Sequence, residues 1–222
     1  MHWLQRLGPE AQSLNEIHSK FLQMIADGRH IFDASSNALL GGTSPQVIRA
    51  DLFETDRRIN RTEQEIRRLI VVHGSIHGAA TFPALLVMMS LVKDAERIGD
   101  YAKNIFDLTK VGIDLQAGPR ESALILLKDK VSKLLVRAHG LFEQQDTAKA
   151  RDFLVEVASL EDECDSAVEE LLRISGRNPA PVVLTYRYFK RVISHIGNVV
   201  TSLVVPLDKL DYFDEPRERE EE

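Results

Sequence analysis

Two acidic residues four positions apart, Glu96 and Asp100, stand within the stretch KDAERIGDYAKNI, residues 93–105. In an α-helix, residues at this spacing lie on one face about a turn apart. Two carboxylates placed there repel each other by about 0.2–0.5 kcal/mol unless a positive charge lies near them. A basic side chain, a metal ion or a partner protein can supply that charge, and each source implies a different chemistry.

A second set of oxygen-bearing side chains precedes this stretch. Asp56 and Asn60 are also four residues apart, and Glu63 follows one turn later. If the two sets lie on facing antiparallel helices, they present their oxygen atoms to a common point. Such ligands suit Mg²⁺, Mn²⁺, iron or Zn²⁺. The alternative is a solvated helix face whose carboxylates are neutralised by basic neighbours, namely Arg57, Arg58, Arg61, Lys93 and Arg97.

Apolar residues recur at helical spacing along most of the chain, which predicts an all-α fold. The predicted helices cover approximately residues 17–39, 45–70, 82–111, 124–135, 148–174 and 182–204. Glycine and proline mark the breaks between them, as at Gly41-Gly42 and Gly118-Pro119. Long helices joined by short loops pack antiparallel as up-down bundles.

The composition narrows the class of protein. The net charge is −6 and no basic tract stands out, which argues against nucleic-acid binding. The single cysteine, Cys164, excludes a disulfide within the chain. The first residues lack the apolar segment of a signal peptide, and the uncharged run 79–92 is shorter than the roughly 20 residues that span a bilayer. We therefore expect a cytoplasmic protein that contacts a membrane only through a partner.

The predicted helices divide into two sets of three with similar patterns. The segment AERIGDYAKNI at 95–105 aligns with FKRVISHIGNV at 189–199, and the helices before them also align. The aligned positions include Arg97 with Arg191, Asn104 with Asn198, Asp56 with Glu161, and Asn60 with Asp165. This self-similarity predicts a duplicated three-helix unit.

The stretch AERIGDYAKNI, on the third helix of a repeated three-helix unit with i,i+4 acidic motifs on the preceding helix, resembles the PhoU family. The likeness extends from about Ile17 to Leu210 and implies a six-helix fold of two tandem antiparallel three-helix bundles. PhoU-like proteins are cytoplasmic regulators of phosphate homeostasis that act on phosphate transporters and, in many bacteria, on a phosphate-sensing histidine kinase. Some hold multinuclear iron or zinc clusters on their acidic motifs. The resemblance also implies a homodimer.

Carried onto this sequence, the family motif places a first-half metal site at Asp56, Asn60, Glu63, Glu96 and Asp100. Iron or zinc is the implied ion, with manganese or magnesium as alternatives. Asn60 departs from the family pattern, which has a second carboxylate there, but its amide keeps a carbonyl oxygen.

The second half departs further from the family pattern. Glu161 and Asp165 match it, but Lys190 and Ser194 stand where the counterparts of Glu96 and Asp100 are expected. An ion pair with Lys190 would replace the metal there. The sequence therefore predicts a divergent family member whose second half is metal-free.

The sequence predicts that the chain has four segments. We expect an N-terminal strap over residues 1–14, a first three-helix repeat over 15–114, a second over 115–210, and a charged, disordered tail over 211–222. Trp3, Leu4 and Leu7 give the strap an apolar edge, which packs across the bundle or touches a membrane or partner. His73 and His77 are expected in loop or capping roles, and His195 in helix packing.

Motifs for catalysis are absent from the sequence. It contains no E-x-x-H motif of ferritin-like di-iron bundles, no P-loop and no GxSxG element. We expect a non-enzymatic regulator that binds a phosphate transporter, its sensor histidine kinase, or both. The alternative is a metal-free accessory or scaffold protein tied to a sodium–phosphate cotransporter or another phosphate carrier.

Overall fold

A computed structural model of the chain describes residues 9–110, 115, 119–173 and 179–212. Within these ranges the protein contains α-helices and no β-strand, which confirms the predicted fold class. The helices are α1 (Pro9–Leu40), α2 (Pro45–His77), α3 (Phe82–Thr109), α4 (Pro119–Gln144), α5 (Thr147–Arg173) and α6 (Ala180–Thr201). Two short 3-10 helices lie at Ala79–Thr81 and Leu207–Lys209. Among the described residues, no helix is both long enough and apolar enough to cross a bilayer.

Several helix boundaries differ from the sequence-based expectation, including both ends of α4, which is longer than the predicted 124–135. Helix α1 begins at Pro9, inside the segment expected to be a strap, and α2 continues to His77 instead of ending near residue 70. Gly78 ends α2 because it adopts a φ of 75°, in the left-handed region that glycine enters without a steric penalty. Trp3, Leu4 and Leu7 and the tail from residue 213 lie outside the described residues.

The first three helices form one bundle. Helix α1 packs against both α2 and α3, and α2 packs against α3. Each helix contributes a stripe of fully buried apolar side chains, such as Phe21 and Phe32 from α1, Ile59 from α2, and Ile98 from α3. This burial explains why the apolar spacing in the sequence is helical: one face of each helix is removed from water.

The last three helices form a second bundle that shares its core with the first. Helix α6 packs against α3 and α5, while α4 packs against α1 and α6 and touches α5 only slightly. Aromatic rings cross the boundary: Phe21 and Phe142 lie 4.8 Å apart between centroids, and Phe32 and Phe189 lie 5.3 Å apart. The two repeats are therefore parts of one continuous hydrophobic core.

Candidate functional site

Two of the predicted metal ligands face each other across the first bundle. Asp56 projects from α2 and Asp100 from α3, and the ammonium group of Lys103 lies between them. Its Nζ atom is 2.8 Å from Asp56 Oδ1 and 3.0 Å from Asp100 Oδ1. Lys103 stands three residues after Asp100 on α3, so its side chain reaches back over the preceding turn. A lysine thus holds the position between the two carboxylates where a cation was expected.

The environment keeps Lys103 positively charged. Burial by itself lowers the pKa of an ammonium group, because a charge is less stable away from water. The hydrogen bonds that Lys103 donates to Asp56 and Asp100 act in the opposite direction and outweigh burial, so the pKa of Lys103 lies above its ordinary value. The lysine therefore remains an ammonium ion throughout the physiological pH range.

The remaining acidic ligands form a second ion-paired group. Lys93 donates a hydrogen bond of 2.6 Å to Glu96, and Arg67 Nη2 lies 2.8 Å from Glu63 Oε1. Burial raises the pKa of Glu96, and the neighbouring charges of Asp100 and Glu63 raise it further, although Lys93 lowers it. Partial burial and the nearby negative charges thus disfavour the ionised form of Glu96.

Ion pairs with basic side chains surround the predicted first-half ligands. In the described part of the chain, no group of three or more histidine, cysteine, aspartate or glutamate side chains is placed to hold an ion. The carboxylates instead divide into two groups, each paired with lysine or arginine. Asn60 lies partly buried on α2. A metal ion at Asp56 and Asp100 requires Lys103 to move away.

The basic partners differ from those that the sequence suggested. Of the five neighbours considered, Lys93 does bind Glu96. Arg58 instead binds Asp27 of α1 through two hydrogen bonds of 2.8 and 2.9 Å. Lys103 is not among the five predicted basic neighbours, although its i,i+3 spacing from Asp100 in the sequence is a signal for this ion pair.

The second bundle neutralises one member of its acidic pair, Asp165, with its own side chains. Lys190 contacts Asp165, as predicted, and Arg187 adds a contact of 3.1 Å to the same carboxylate. Glu161 does not pair with Lys190 but accepts a hydrogen bond from the hydroxyl of Ser194. Glu161 and Ser194 face each other as Asp56 and Asp100 do. The sequence alignment pairs Glu161 with Asp56 and Ser194 with Asp100.

A buried polar cluster joins the two repeats. Asp94 of α3 accepts hydrogen bonds from His195 Nδ1 at 2.8 Å and from Asn198 Nδ2 at 3.0 Å, both on α6. The ring of His195 stacks on Tyr101 with centroids 5.6 Å apart. His195 therefore has the helix-packing role that its sequence position indicated.

The other candidate histidines lie at the end of α2. His73 is buried and its Nδ1 contacts the hydroxyl of Ser13 on α1. The rings of His73 and His77 lie 4.3 Å apart between centroids. Both residues belong to the last turns of the helix and not to the loop where the sequence placed them.

Residues 21–109 match the family model for the PhoU domain. This part of the chain is similar to the PhoU domain. The match covers most of α1 and all of α2 and α3, including the five predicted first-half ligands. The resemblance inferred from AERIGDYAKNI is therefore confirmed. No match to a curated protein is found.

Solved structures of PhoU proteins share the fold of the whole chain. The phosphate transport system regulatory protein PhoU from Streptococcus pneumoniae superposes with a TM-score of 0.72 at 18% sequence identity, covering 92% of this chain and 98% of that one. PhoU from Pseudomonas aeruginosa superposes with a TM-score of 0.69 at 20% identity, covering 87% and 96%. At such low identity the likeness establishes the fold, which extends beyond the PhoU domain match into the second repeat.

Proposed function

We propose that this protein is a non-enzymatic regulator of phosphate transport, acting on the cytoplasmic side of the membrane. It would bind a phosphate transporter, or the histidine kinase that senses phosphate with it. The observation that supports this proposal is the PhoU domain at residues 21–109, within a fold that spans 92% of the chain when superposed on a phosphate transport regulatory protein. A regulator of this kind changes its partner's activity by binding one conformation of the partner better than another.

The end of the α2–α3 hairpin has the surface character of a partner-binding site. No charged residue occurs between Arg68 and Lys93. Five large apolar side chains in this stretch are nevertheless exposed, which we call the hairpin tip: Val71, Val72, Ile76, Phe82 and Leu86. Exposed apolar groups of this size are typical of surfaces that bind another molecule. We propose that the hairpin tip contacts an apolar cytoplasmic segment of the transporter.

Cells that lack the gene offer a test of the regulatory role. We expect their rate of phosphate uptake to respond abnormally to external phosphate and the wild-type gene to restore the response. The variant Val72→Asp/Ile76→Asp should fail to restore it and should no longer co-purify with the transporter. Val155→Asp, which changes an exposed valine of α5, is the matched control and should behave as wild type.

Three outcomes separate the parts of this proposal. Identical phosphate uptake with and without the gene, at both high and low external phosphate, would contradict the regulatory role. Full function of the hairpin-tip variant would contradict the docking surface alone. Recovery of a histidine kinase in place of a transporter would identify the sensor as the partner.

The predicted metal remains a prediction for the first half. The alternative is a metal-free accessory protein of a sodium–phosphate cotransporter or another phosphate carrier. The ion pairs of Lys103 support its metal-free character, because the ammonium group lies between Asp56 and Asp100. Metal analysis of the purified, untagged protein distinguishes the two. Stoichiometric iron, zinc, manganese or magnesium that is lost in Glu96→Ala/Asp100→Ala would support the metal-bound form. We also propose a homodimer, which light scattering after gel filtration tests directly.

A further inference from the structure

A groove of about 250 Å³ opens in the second repeat between α5, α6 and the segment that follows α6. Leu154, Val157 and Ala158 of α5 form its apolar wall. Its other lining residues carry oxygen atoms, chiefly Glu161 of α5, Asn198 and Thr201 of α6, and Asp211. The volume lies just below the roughly 300–1,000 Å³ typical of sites for drug-sized ligands, so the groove suits a smaller molecule.

The corresponding positions of the first repeat carry larger side chains. The alignment of the repeats assigns Lys103 to Gly197 and Phe53 to Ala158. In the first repeat, Lys103 places its ammonium group between the facing carboxylates. Phe53 packs edge-on against Phe106, with ring centroids 6.1 Å apart. A lysine and a phenylalanine thus stand where the second repeat has glycine and alanine.

The second repeat lacks both of these side chains. Gly197 has none, and a Cβ atom added there would lie 2.9 Å from Val157 Cγ1, closer than van der Waals contact allows. Ala158 has only a methyl group where the first repeat has a phenylalanine ring. Glu161, the counterpart of Asp56, lines the open groove and has no lysine from α6 beside it at the position of Lys103. In the first repeat, the carboxylate at this position binds an ammonium group.

Several donors around the groove are used within the protein. Ser194 donates to Glu161, and Thr201 donates to the backbone carbonyl of Asn198 at 2.6 Å. The side-chain amide of Asn198 donates one N–H to Asp94 at 3.0 Å and keeps its second N–H. The oxygen atoms of these side chains can accept further hydrogen bonds. A ligand that carries N–H or O–H donors therefore finds acceptors in the groove.

Charge restricts the ligand further. Within the described residues, neither Glu161 nor Asp211 forms an ion pair with a lysine or arginine, since Lys190 and Arg187 both bind Asp165. Burial raises the pKa of Asp211, and the nearby charge of Asp94 raises it further, against a smaller lowering by His195. The groove is therefore a region of negative potential, and an anion such as inorganic phosphate would be repelled.

We propose that this groove binds an organic cation, namely a primary ammonium or guanidinium group on a short alkyl chain. The cationic head would lie by Glu161 and Asp211, as the Lys103 ammonium lies by Asp56 and Asp100. The alkyl chain would pack against Leu154, Val157 and Ala158. The cation can be a free amine or a lysine or arginine side chain of a partner, because both present the same chemistry. This site is separate from the proposed regulation of phosphate transport.

Two-dimensional NMR of the full chain tests the proposal with agmatine, n-butylamine and a capped arginine tripeptide as probes. We expect saturable shifts of the backbone amides of Gly197 and Asn198. Glu161→Gln and Asp211→Asn should each weaken binding about tenfold, since each removes one charge-assisted hydrogen bond. Ala158→Phe should abolish binding by restoring the ring found in the first repeat. Asp208→Asn removes an exposed acidic residue of the same segment outside the groove and should change nothing.

The controls separate specific binding from general attraction between cations and an acidic protein. n-Butanol has the same chain without the charge and should not bind, and neither should phosphate. Tighter binding of agmatine points to a free amine as the ligand, whereas tighter binding of the peptide points to a partner side chain; both support the site. Absence of saturable shifts with every amine, or equal affinity in Ala158→Phe and wild type, would overturn the proposal.

Discussion

Replacing Lys103 with methionine tests whether a lysine neutralises the facing Asp56 and Asp100. Methionine keeps most of the aliphatic stem but removes the ammonium group and both of its ion pairs, of 2.8 and 3.0 Å. The side chains of Lys103 and Asp56 are 25% and 12% exposed, so the pair is partly shielded from water. Breaking a fully buried pair costs about 3–5 kcal/mol and an exposed one about 0–1 kcal/mol. We expect Lys103→Met to lower the free energy of unfolding by about 1–3 kcal/mol.

Urea unfolding followed by far-ultraviolet circular dichroism measures this loss. Lys130→Met is the matched control, because Lys130 and Glu163 form a 2.7 Å ion pair in which the side chains are 47% and 43% exposed. Its loss should not exceed about 1 kcal/mol. A double-mutant cycle adds a second check: Asp56→Asn should destabilise the Lys103→Met protein less than it destabilises wild type, because the interaction is already gone.

The pH dependence of the same difference has a defined sign. The folded-state pKa of Lys103 lies above the ordinary value of 10.5, so its stabilising contribution is complete below that pH and is lost as the pH rises through the folded-state pKa. Wild type and Lys103→Met should therefore converge in stability in strongly alkaline buffer. The reasoning is refuted if Lys103→Met costs no more than Lys130→Met.

Two further predictions concern buried titratable groups. Burial, with the charges of Asp100 and Glu63, raises the pKa of Glu96, which means that folding disfavours its ionised form. Glu96→Gln should therefore be neutral or stabilising in thermal unfolding at neutral pH, and its advantage should shrink as the pH falls through the folded-state pKa; a large loss at neutral pH would show that the Lys93 hydrogen bond dominates. Burial raises the pKa of Cys164 to about 12, so a thiol reagent at mildly alkaline pH should label the protein only in urea. Rapid labelling of the native protein would contradict the buried position of this thiol.

The spacing of apolar residues predicted which segments are helical, but it located the ends of the helices less accurately. The sequence predicts the end of α2 too early, near His73, because Gly74 and Gly78 both resemble helix terminators. Of these two glycines, only Gly78 adopts a positive φ. Gly74 stays in α2 because it faces Phe82 and Leu85, and a Cβ atom there would lie 3.0 Å from the Phe82 ring. A glycine that permits close packing and a glycine that ends a helix look alike in a sequence.

The partners of the charged side chains were the less predictable part of the site. Spacing alone places Glu96 and Asp100 on one face, and i,i+3 spacing alone would have paired Asp100 with Lys103. The participation of Asp56 in that bridge depends on how α2 packs against α3. The ion pair of Arg58 with Asp27 likewise depends on the packing of α1. Long basic side chains reach several acidic neighbours, and the choice among them depends on distances between helices.

The sequence by itself determined the all-α class, the duplicated three-helix unit and the resemblance to the PhoU family, because these depend on periodicity and motif spacing along the chain. The tertiary structure alone decided that Asp56 joins Asp100 at the Lys103 ammonium group, and that a groove opens beside Glu161 in the second repeat. Periodicity records which face of a helix is buried, whereas ion pairs and cavities depend on distances of a few ångströms between side chains from different helices.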